Sequence, residues 1–159
     1  MALRTVIPSP AVARDFVGVA LGPSEWVVVD QARIDAFAGV TGDHQWIHCD
    51  VERARRETPW KTTIAHGYLS LALVPALLDS LVEVRGCASV VNTGLDKLRL
   101  SAPVTSGSRV RLRAEIADVR ALPRNGARVA FSVRLEIEGS TKPALLARVN
   151  YAYLPAGAV

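Results

Sequence analysis

Apolar and polar residues alternate strictly along the C-terminal half of the chain. Residues 109–116 place Val, Leu, Ala and Ile between arginines and a glutamate, and residues 128–138 repeat this scheme. A period of two is typical of strands with one buried face. The turn-forming residues 123–126, Pro-Arg-Asn-Gly, separate the two runs, so the pattern predicts a β-hairpin. Residues 145–153 alternate in the same way, and a less regular run over 89–100 predicts a further strand.

The first half of the chain is patterned mainly as helices. One β-branched run at 25–29 predicts a short strand. Asp30 then precedes apolar residues at helical spacing, and Gly42 is a typical helix stop. Asp50 is placed to cap a second, short helix, which ends at Thr58-Pro59 because the residue before proline avoids helical dihedral angles. Between these two helices we expect a short irregular loop.

The most apolar helical segment runs from residue 67 to residue 84. Its leucines and valines cover nearly the whole circumference, which predicts a helix enclosed by other structure. Pro75 lies inside this segment and lacks a backbone donor, so it should bend the helix near Leu71 or divide it into two pieces. Gly86 is the expected C-terminal stop.

These elements together predict an α+β protein. About five strands with one apolar face should form a curved antiparallel sheet wrapped around a long central helix. The open edge strands of such a sheet would be protected by pairing two copies, which predicts a homodimer. At 159 residues the chain is most economically one domain over 1–159, in which residues 1–22 are a poorly defined N-terminal extension.

Composition narrows the classes of function. Half of the residues are hydrophobic, but no stretch has the 18 uninterrupted apolar residues of a membrane helix. The net charge of +4 is modest, and the scattered arginines accompany no nucleic-acid motif. The two cysteines, Cys49 and Cys87, form neither a disulfide framework nor a metal-ligand spacing. We therefore expect a cytoplasmic protein with no nucleic-acid or membrane partner.

The candidate chemistry lies in the predicted loop between the first two helices. Asp43 and His48 are close in sequence, and loops are where a fold displays reactive groups. Each also has an ordinary structural interpretation, Asp43 as a turn aspartate and His48 as a buried histidine bonded to a carbonyl. Cys49 has two interpretations: a nucleophile, because it is next to His48, or an ordinary packing residue, because a thiol is small and apolar. The histidine and aspartate spacings fit no standard ligand set, so no metal is expected.

The residues around this loop carry a family resemblance. Residues 37–48 read Phe-Ala-Gly-Val-Thr-Gly-Asp-His-Gln-Trp-Ile-His, and residues 64–67 read Ile-Ala-His-Gly. This combination resembles the MaoC-like, (R)-specific enoyl-CoA hydratases of the hot-dog fold, over most of the chain after residue 25. The family loop usually carries Asn-Pro where this chain has Gln45-Trp46. In this respect the chain resembles the subgroup of the family that is related to nodulation protein N.

The resemblance implies an enzyme that interconverts trans-2-enoyl-CoA and (3R)-3-hydroxyacyl-CoA. Asp43 and His48 would be its catalytic acid–base pair, which holds one water. Gly67, at the start of the apolar helix, is the candidate backbone donor to the thioester oxygen. Gln45 and Asn92 are candidates for binding water or substrate. No cofactor is expected, since coenzyme A belongs to the substrate.

Two other functions remain open on the sequence. The same fold also supports hydrolysis of acyl-CoA thioesters, in which water attacks the carbonyl carbon instead of the double bond. A non-catalytic module that binds acyl-CoA or an acyl carrier would need neither an acid nor a base. The pairing of Asp43 with His48 argues against the binding module.

Overall fold

The structure is a computed structural model that describes residues 4–156, and within them eight strands and five α-helices. In chain order the elements are β1 (Thr5–Ile7), a 3-10 helix (Pro10–Phe16), β2 (Ala20–Leu21), β3 (Val27–Val29), α1 (Gln31–Thr41), α2 (Trp46–Cys49), α3 (Val51–Glu57), α4 (Gly67–Ala72), α5 (Val74–Asp79), β4 (Val82–Val84), β5 (Ser89–Leu100), β6 (Ser108–Leu122), a second 3-10 helix (Pro123–Asn125), β7 (Gly126–Ile137) and β8 (Leu145–Leu154).

One antiparallel sheet contains six of these strands. Its order is β2-β6-β7-β8-β5, and β3 also pairs with β6. β6 and β7 form the predicted hairpin, with Leu112 opposite Leu135 and Arg111 opposite Glu136. This register places apolar residues together on one face and ion pairs on the other, because side chains alternate across a strand. The predicted α+β architecture is therefore confirmed.

The inner face of the sheet carries most of the core. Phe131, Leu112, Ile116 and Leu135 are completely buried there. Helix α5 and the residues that follow it pack on the same side and contribute Val74, Leu77, Leu78 and Leu81 to this core. The predicted enclosed apolar segment therefore does lie against the apolar face of the sheet.

The expected long central helix is divided and ends early. α4 ends at Ala72, and α5 begins at Val74 with Pro75 in its first turn, where a missing N–H costs nothing. Residues 82–84 are not helical, in contrast to the prediction, but form β4, which pairs in parallel with β1. No helix described for residues 4–156 is long and apolar enough to cross a membrane.

The N-terminal segment is better ordered than its sequence pattern indicated. Within residues 4–22, β1 pairs with β4, and residues 10–16 form the first 3-10 helix. Ile7 and Ala13 are completely buried and belong to the main core. Residues 1–3 and 157–159 of the predicted single domain lie outside the described residues.

The caps predicted at Asp30, Gly42 and Asp50 are confirmed, but Gly86 is not a helix stop, since α5 ends at Asp79 and β4 follows it. The Asp30 carboxylate accepts a hydrogen bond of 2.9 Å from the backbone N–H of Arg33, and α1 ends at Gly42 in the left-handed conformation. Asp50 caps α3 in the same way through the N–H of Arg53, again at 2.9 Å. The loop between them is shorter than expected, because residues 46–49 form the single turn α2. His48 therefore lies on a helical turn.

Candidate active site

The end of α1 determines where Asp43 lies. Gly42 has φ of +78°, a conformation that only glycine adopts without strain, and its N–H caps the helix at Ala38. The chain turns there and places Asp43 immediately beyond the helix. The Asp43 carboxylate accepts a 3.3 Å hydrogen bond from the N–H of Gln45, and its side chain remains 55% exposed. The carboxylate is therefore accessible to water and to a ligand.

His48 lies on α2 and is 93% buried, with an exposed fraction of 7%. Its Nδ1 lies 2.6 Å from the carbonyl oxygen of Ile64. A carbonyl oxygen only accepts, so Nδ1 must carry the hydrogen, and the neutral ring then has its lone pair on Nε2. In this tautomer Nε2 can accept a proton. The sequence left a carbonyl-bonded, buried histidine open as the structural alternative for His48, and the structure identifies the acceptor as Ile64.

Burial lowers the pKa of His48 below its ordinary value of 6.5, because a charged imidazole is poorly solvated there. The neighbouring His66 acts in the same direction. The hydrogen bond to Ile64 and the carboxylate of Asp43 oppose the shift and raise the pKa. The net effect keeps the imidazole neutral at physiological pH, which is the form that can act as a base.

His66 is a third member of the site, and the sequence analysis assigned it no role. Its Nε2 lies 2.9 Å from the backbone oxygen of Asp43 and 4.0 Å from the Asp43 carboxylate. Its ring stacks on that of His48 with centroids 3.8 Å apart, and it also contacts Phe37 at 5.1 Å. His66 therefore connects the start of α4 to both predicted catalytic residues. The His-Gly motif was the available signal for it.

Asp43 and His48 are close enough to share one water molecule. One carboxylate oxygen of Asp43, one ring nitrogen of His48 and one of His66 lie within 4.8 Å of one another. Two hydrogen bonds of about 2.8 Å span such a separation. A metal ion suits the cluster less well, because Nε2 of His66 carries its hydrogen towards the Asp43 carbonyl and offers no lone pair there.

A cavity of about 230 Å³ opens beside His48. Gly67, Ser70 and Leu100 also line it, together with the chain that follows β5. Gly67 is the first residue of α4, so its N–H has no acceptor within the helix. A Cβ on Gly67 would lie only 2.4 Å from Cδ1 of Leu100. The absence of a side chain therefore lets Leu100 pack directly against the start of α4.

The structure does not bring every predicted site residue to this cavity. Gln45 precedes α2 with an exposed side chain, and only its backbone N–H contacts Asp43. Asn92 lies on β5 opposite Tyr151, and its side chain accepts a 3.1 Å hydrogen bond from the N–H of Gly94 at an irregularity of the strand. Neither lines the cavity beside His48, and Asp43 does not line it either, although its carboxylate lies close to the His48 ring. The residues after β5, which do line it, carried no sequence signal.

Cys49 is poorly suited to be a nucleophile. Burial raises the pKa of its thiol, and the carboxylates of Asp35 and Asp43 raise it further. Because the thiolate is the reactive form, this environment makes the thiol less reactive. Cys49 and Cys87 are both free.

A second cavity, of about 320 Å³, lies at the other end of the helical segment. Leu78, Val84, Val90 and Tyr151 are among the residues that line it. None of Asp43, His48 and Gly67 contributes to it. Volume alone therefore does not identify the reactive site.

Known proteins resemble this chain in sequence. Residues 14–135 match the family described as MaoC like domain. The 3-hydroxyacyl-thioester dehydratase Z of Mycobacterium tuberculosis (strain ATCC 25618 / H37Rv) is 43% identical over 137 residues, which cover 86% of this chain and 90% of that protein. Nodulation protein N of Rhizobium leguminosarum bv. viciae is 42% identical over 132 residues, which cover 82% of each.

Solved structures extend the similarity to three dimensions. The unliganded R-hydratase PhaJ1 from Pseudomonas aeruginosa has a TM-score of 0.69 at 25% identity and covers 94% of this chain and 88% of its own. The (R)-hydratase from A. caviae has a TM-score of 0.66 at 24% identity, covering 87% and 96%. These neighbours confirm the predicted hot-dog fold. The chain belongs to the MaoC-like dehydratase family, and it is a hydratase/dehydratase enzyme.

Proposed function

We propose that the enzyme adds water to trans-2-enoyl-CoA to give (3R)-3-hydroxyacyl-CoA, and catalyses the reverse dehydration. The observation that carries this proposal is the convergence of the Asp43 carboxylate and the His48 imidazole, within reach of one water, beside an open cavity. The names of the relatives support a hydroxyacyl thioester as the class of substrate. The (R) configuration is supported by the R-hydratase of P. aeruginosa.

In the proposed hydration His48 is the base. Its neutral Nε2 takes one hydrogen of the water while the oxygen bonds to C3 of the enoyl group. The electrons of the C2–C3 double bond move to the thioester oxygen and form an enolate. The imidazolium then returns the proton to C2, so that one water has been added in total. Asp43 accepts a hydrogen bond from the water and stabilises the transient imidazolium.

Gly67 would stabilise the enolate. Its N–H lacks an intrahelical acceptor, and a glycine lets the thioester carbonyl approach the backbone closely. A positioned backbone donor is worth a few kcal/mol when charge develops on a carbonyl oxygen. Because Gly67 and His48 line the same cavity, one substrate can contact both.

The proposal includes a homodimer that acts in the cytoplasm without a cofactor. Among the described residues β5 pairs only with β8, and it exposes Val90, Val91 and Leu95. An open, partly apolar strand edge is a natural surface for a second copy. The two free cysteines suit a reducing compartment.

The first prediction concerns the catalytic pair. Asp43→Asn and His48→Gln should each lower kcat/KM for crotonyl-CoA hydration by about 10²–10⁴-fold, the usual contribution of a positioned proton transfer. Loss of the enoyl absorbance measures hydration, and a thiol reagent measures thioester hydrolysis in parallel. His44→Gln is the matched control, since His44 is an exposed neighbour on the same loop. Full hydration by both site variants, or thiol release without hydration by the wild type, would reject the proposal.

The pH dependence follows from the lowered pKa of His48. Protonation removes the lone pair that accepts the water hydrogen, so kcat/KM should fall on the acid side as pH drops through this pKa. The midpoint of the acid limb should lie below 6.5, since burial favours the neutral imidazole. A pH–rate profile of the free enzyme measures it. An acid limb centred above 6.5 would contradict the assignment of His48 as a buried neutral base.

Substitution of Gly67 tests the proposed carbonyl site. Gly67→Ala should lower kcat/KM by about 10²-fold, because the new methyl group pushes Leu100 into the cavity that His48 also lines, and small misplacements of bound substrate carry costs of this size. The fold should survive, since the contact is with the flexible end of Leu100. Gly39→Ala is the control, because a Cβ there meets nothing within 4 Å. Wild-type kinetics in the Gly67 variant would contradict the close approach.

The dimer is tested at the open strand edge. Val91→Lys should shift the protein from dimer to monomer in sedimentation analysis, because a charge would be buried between two copies of β5. Val28→Lys is the matched control: Val28 is 46% exposed on β3, close to the 47% of Val91 on β5. Dissociation by the Val28 variant alone would place the interface elsewhere.

A further inference from the structure

Gln31, the first residue of α1, uses both N–H donors and the carbonyl oxygen of its side-chain amide. Its Nε2 donates to the backbone oxygen of His48 at 2.7 Å and to Oδ1 of Asp35 at 2.8 Å. Its Oε1 accepts from the hydroxyl of Thr63. The amide has two N–H donors and one carbonyl, so each group has a partner. One side chain thus joins α1, α2 and the segment before α4.

Thr63, the third partner of Gln31, belongs to the segment that orients the His48 ring. Thr63 is completely buried, and the next carbonyl along the chain, that of Ile64, accepts the Nδ1–H of His48. The backbone oxygen of Thr63 also accepts from the N–H of Ser106 at 2.9 Å, which holds the segment near the start of β6. Gln31 therefore contacts both the backbone that carries His48 and the neighbour of its acceptor.

Helix α1 links this network to the other half of the catalytic pair. Gln31 lies at its first turn, and Asp43 lies two residues beyond its C-terminal end. The helix itself is about 16 Å long, at 1.5 Å per residue. A helix of this length is a rigid spacer. One helix therefore fixes the position of His48 relative to Asp43: Gln31 holds His48 at its first turn, and the Gly42 turn holds Asp43 at its end.

We propose that Gln31 is a positioning residue for His48: it fixes the histidine turn and the Ile64 carbonyl against α1, and so maintains both the Nδ1–H tautomer and the separation from Asp43. This inference rests on the proposed function of the Asp43–His48 pair for its kinetic consequence. The tautomer of His48 can be measured whatever reaction the enzyme catalyses. Gln31 itself contacts neither water nor substrate in this role.

The test combines kinetics with nitrogen NMR of histidine in the full-length protein. Gln31→Glu keeps the shape of the side chain and the oxygen that accepts from Thr63. It replaces the amide nitrogen by a second carboxylate oxygen, which cannot donate to the His48 oxygen or to the Asp35 carboxylate. It should lower kcat for crotonyl-CoA hydration by about 10²-fold, as expected for a small misplacement of a catalytic group, with little change in KM. The NMR signals of His48 should change from a protonated Nδ1 to a mixture of tautomers.

Two hydroxyl variants provide the comparison. Thr63→Val removes the hydroxyl that Gln31 accepts from, and should alter the His48 tautomer in the same direction. Ser24→Ala removes another buried hydroxyl, which donates to Glu25 and accepts from the N–H of Leu112, outside the Gln31 network. It should leave the tautomer unchanged even if it destabilises the fold. Gln31→Ala provides a second test at the same position, should the glutamate variant fail to fold.

The outcomes separate this inference from the proposed reaction. A wild-type His48 tautomer in folded Gln31 variants would overturn the positioning role, whatever their activity. An altered tautomer together with lower kcat would support it. If the wild-type enzyme hydrates no enoyl thioester, the proposed function fails, and the NMR comparison of the Gln31 and Ser24 variants still decides whether Gln31 orients His48.

Discussion

The site depends on one hydrogen bond, from Nδ1 of His48 to the carbonyl oxygen of Ile64. A buried imidazole without this acceptor would have no fixed tautomer, and its basic nitrogen would not be defined. The acceptor is available because the segment around Ile64 is not helical: its main chain bonds instead to α2 and to the chain before β6. The N–H of Ile64 donates to Ile47 at 3.1 Å, and the N–H of Ala65 donates to Val104 at 2.7 Å. The irregular backbone is what leaves a carbonyl for the histidine.

The sheet supplies the rigidity that this arrangement requires. The strand pair β6–β7 is long and buried on its inner face, and the start of β6 holds both β3 and the Ile64 segment through the bridge to Thr105. Catalytic groups on short turns are precise only when a packed scaffold fixes both ends of those turns. Here α1 leads from β3 to Asp43, and the Ile64 segment leads to Gly67. The two segments that carry Asp43 and Gly67 therefore start from the same edge of the sheet.

The sequence predicted the elements whose signals are local. Strict alternation identified β6, β7 and β8, and the capping carboxylates of Asp30 and Asp50 located two helix starts within a residue. The misjudged regions depend on tertiary contacts: residues 82–84 form a strand because β1 lies beside them. In the same way, motif spacing indicated Asp43 and His48, but the carbonyl of Ile64 and the stacking of His66 depend on segments far apart in sequence. Asn92, chosen for its chemistry alone, does not reach the cavity.

The unequal burial of Asp43 and His48 has a consequence for how the proposed catalytic pair would work. His48 is 7% exposed, whereas the side chain of Asp43 is 55% exposed. Water screens the attraction between a carboxylate and an imidazolium, and this attraction grows as water is removed. Substrate that covers the mouth of the cavity would therefore strengthen the Asp43–His48 interaction at the moment the imidazole becomes charged. In the proposed mechanism burial keeps the free histidine neutral, and the stabilisation of the imidazolium by the neighbouring carboxylate would be greater when the site is occupied.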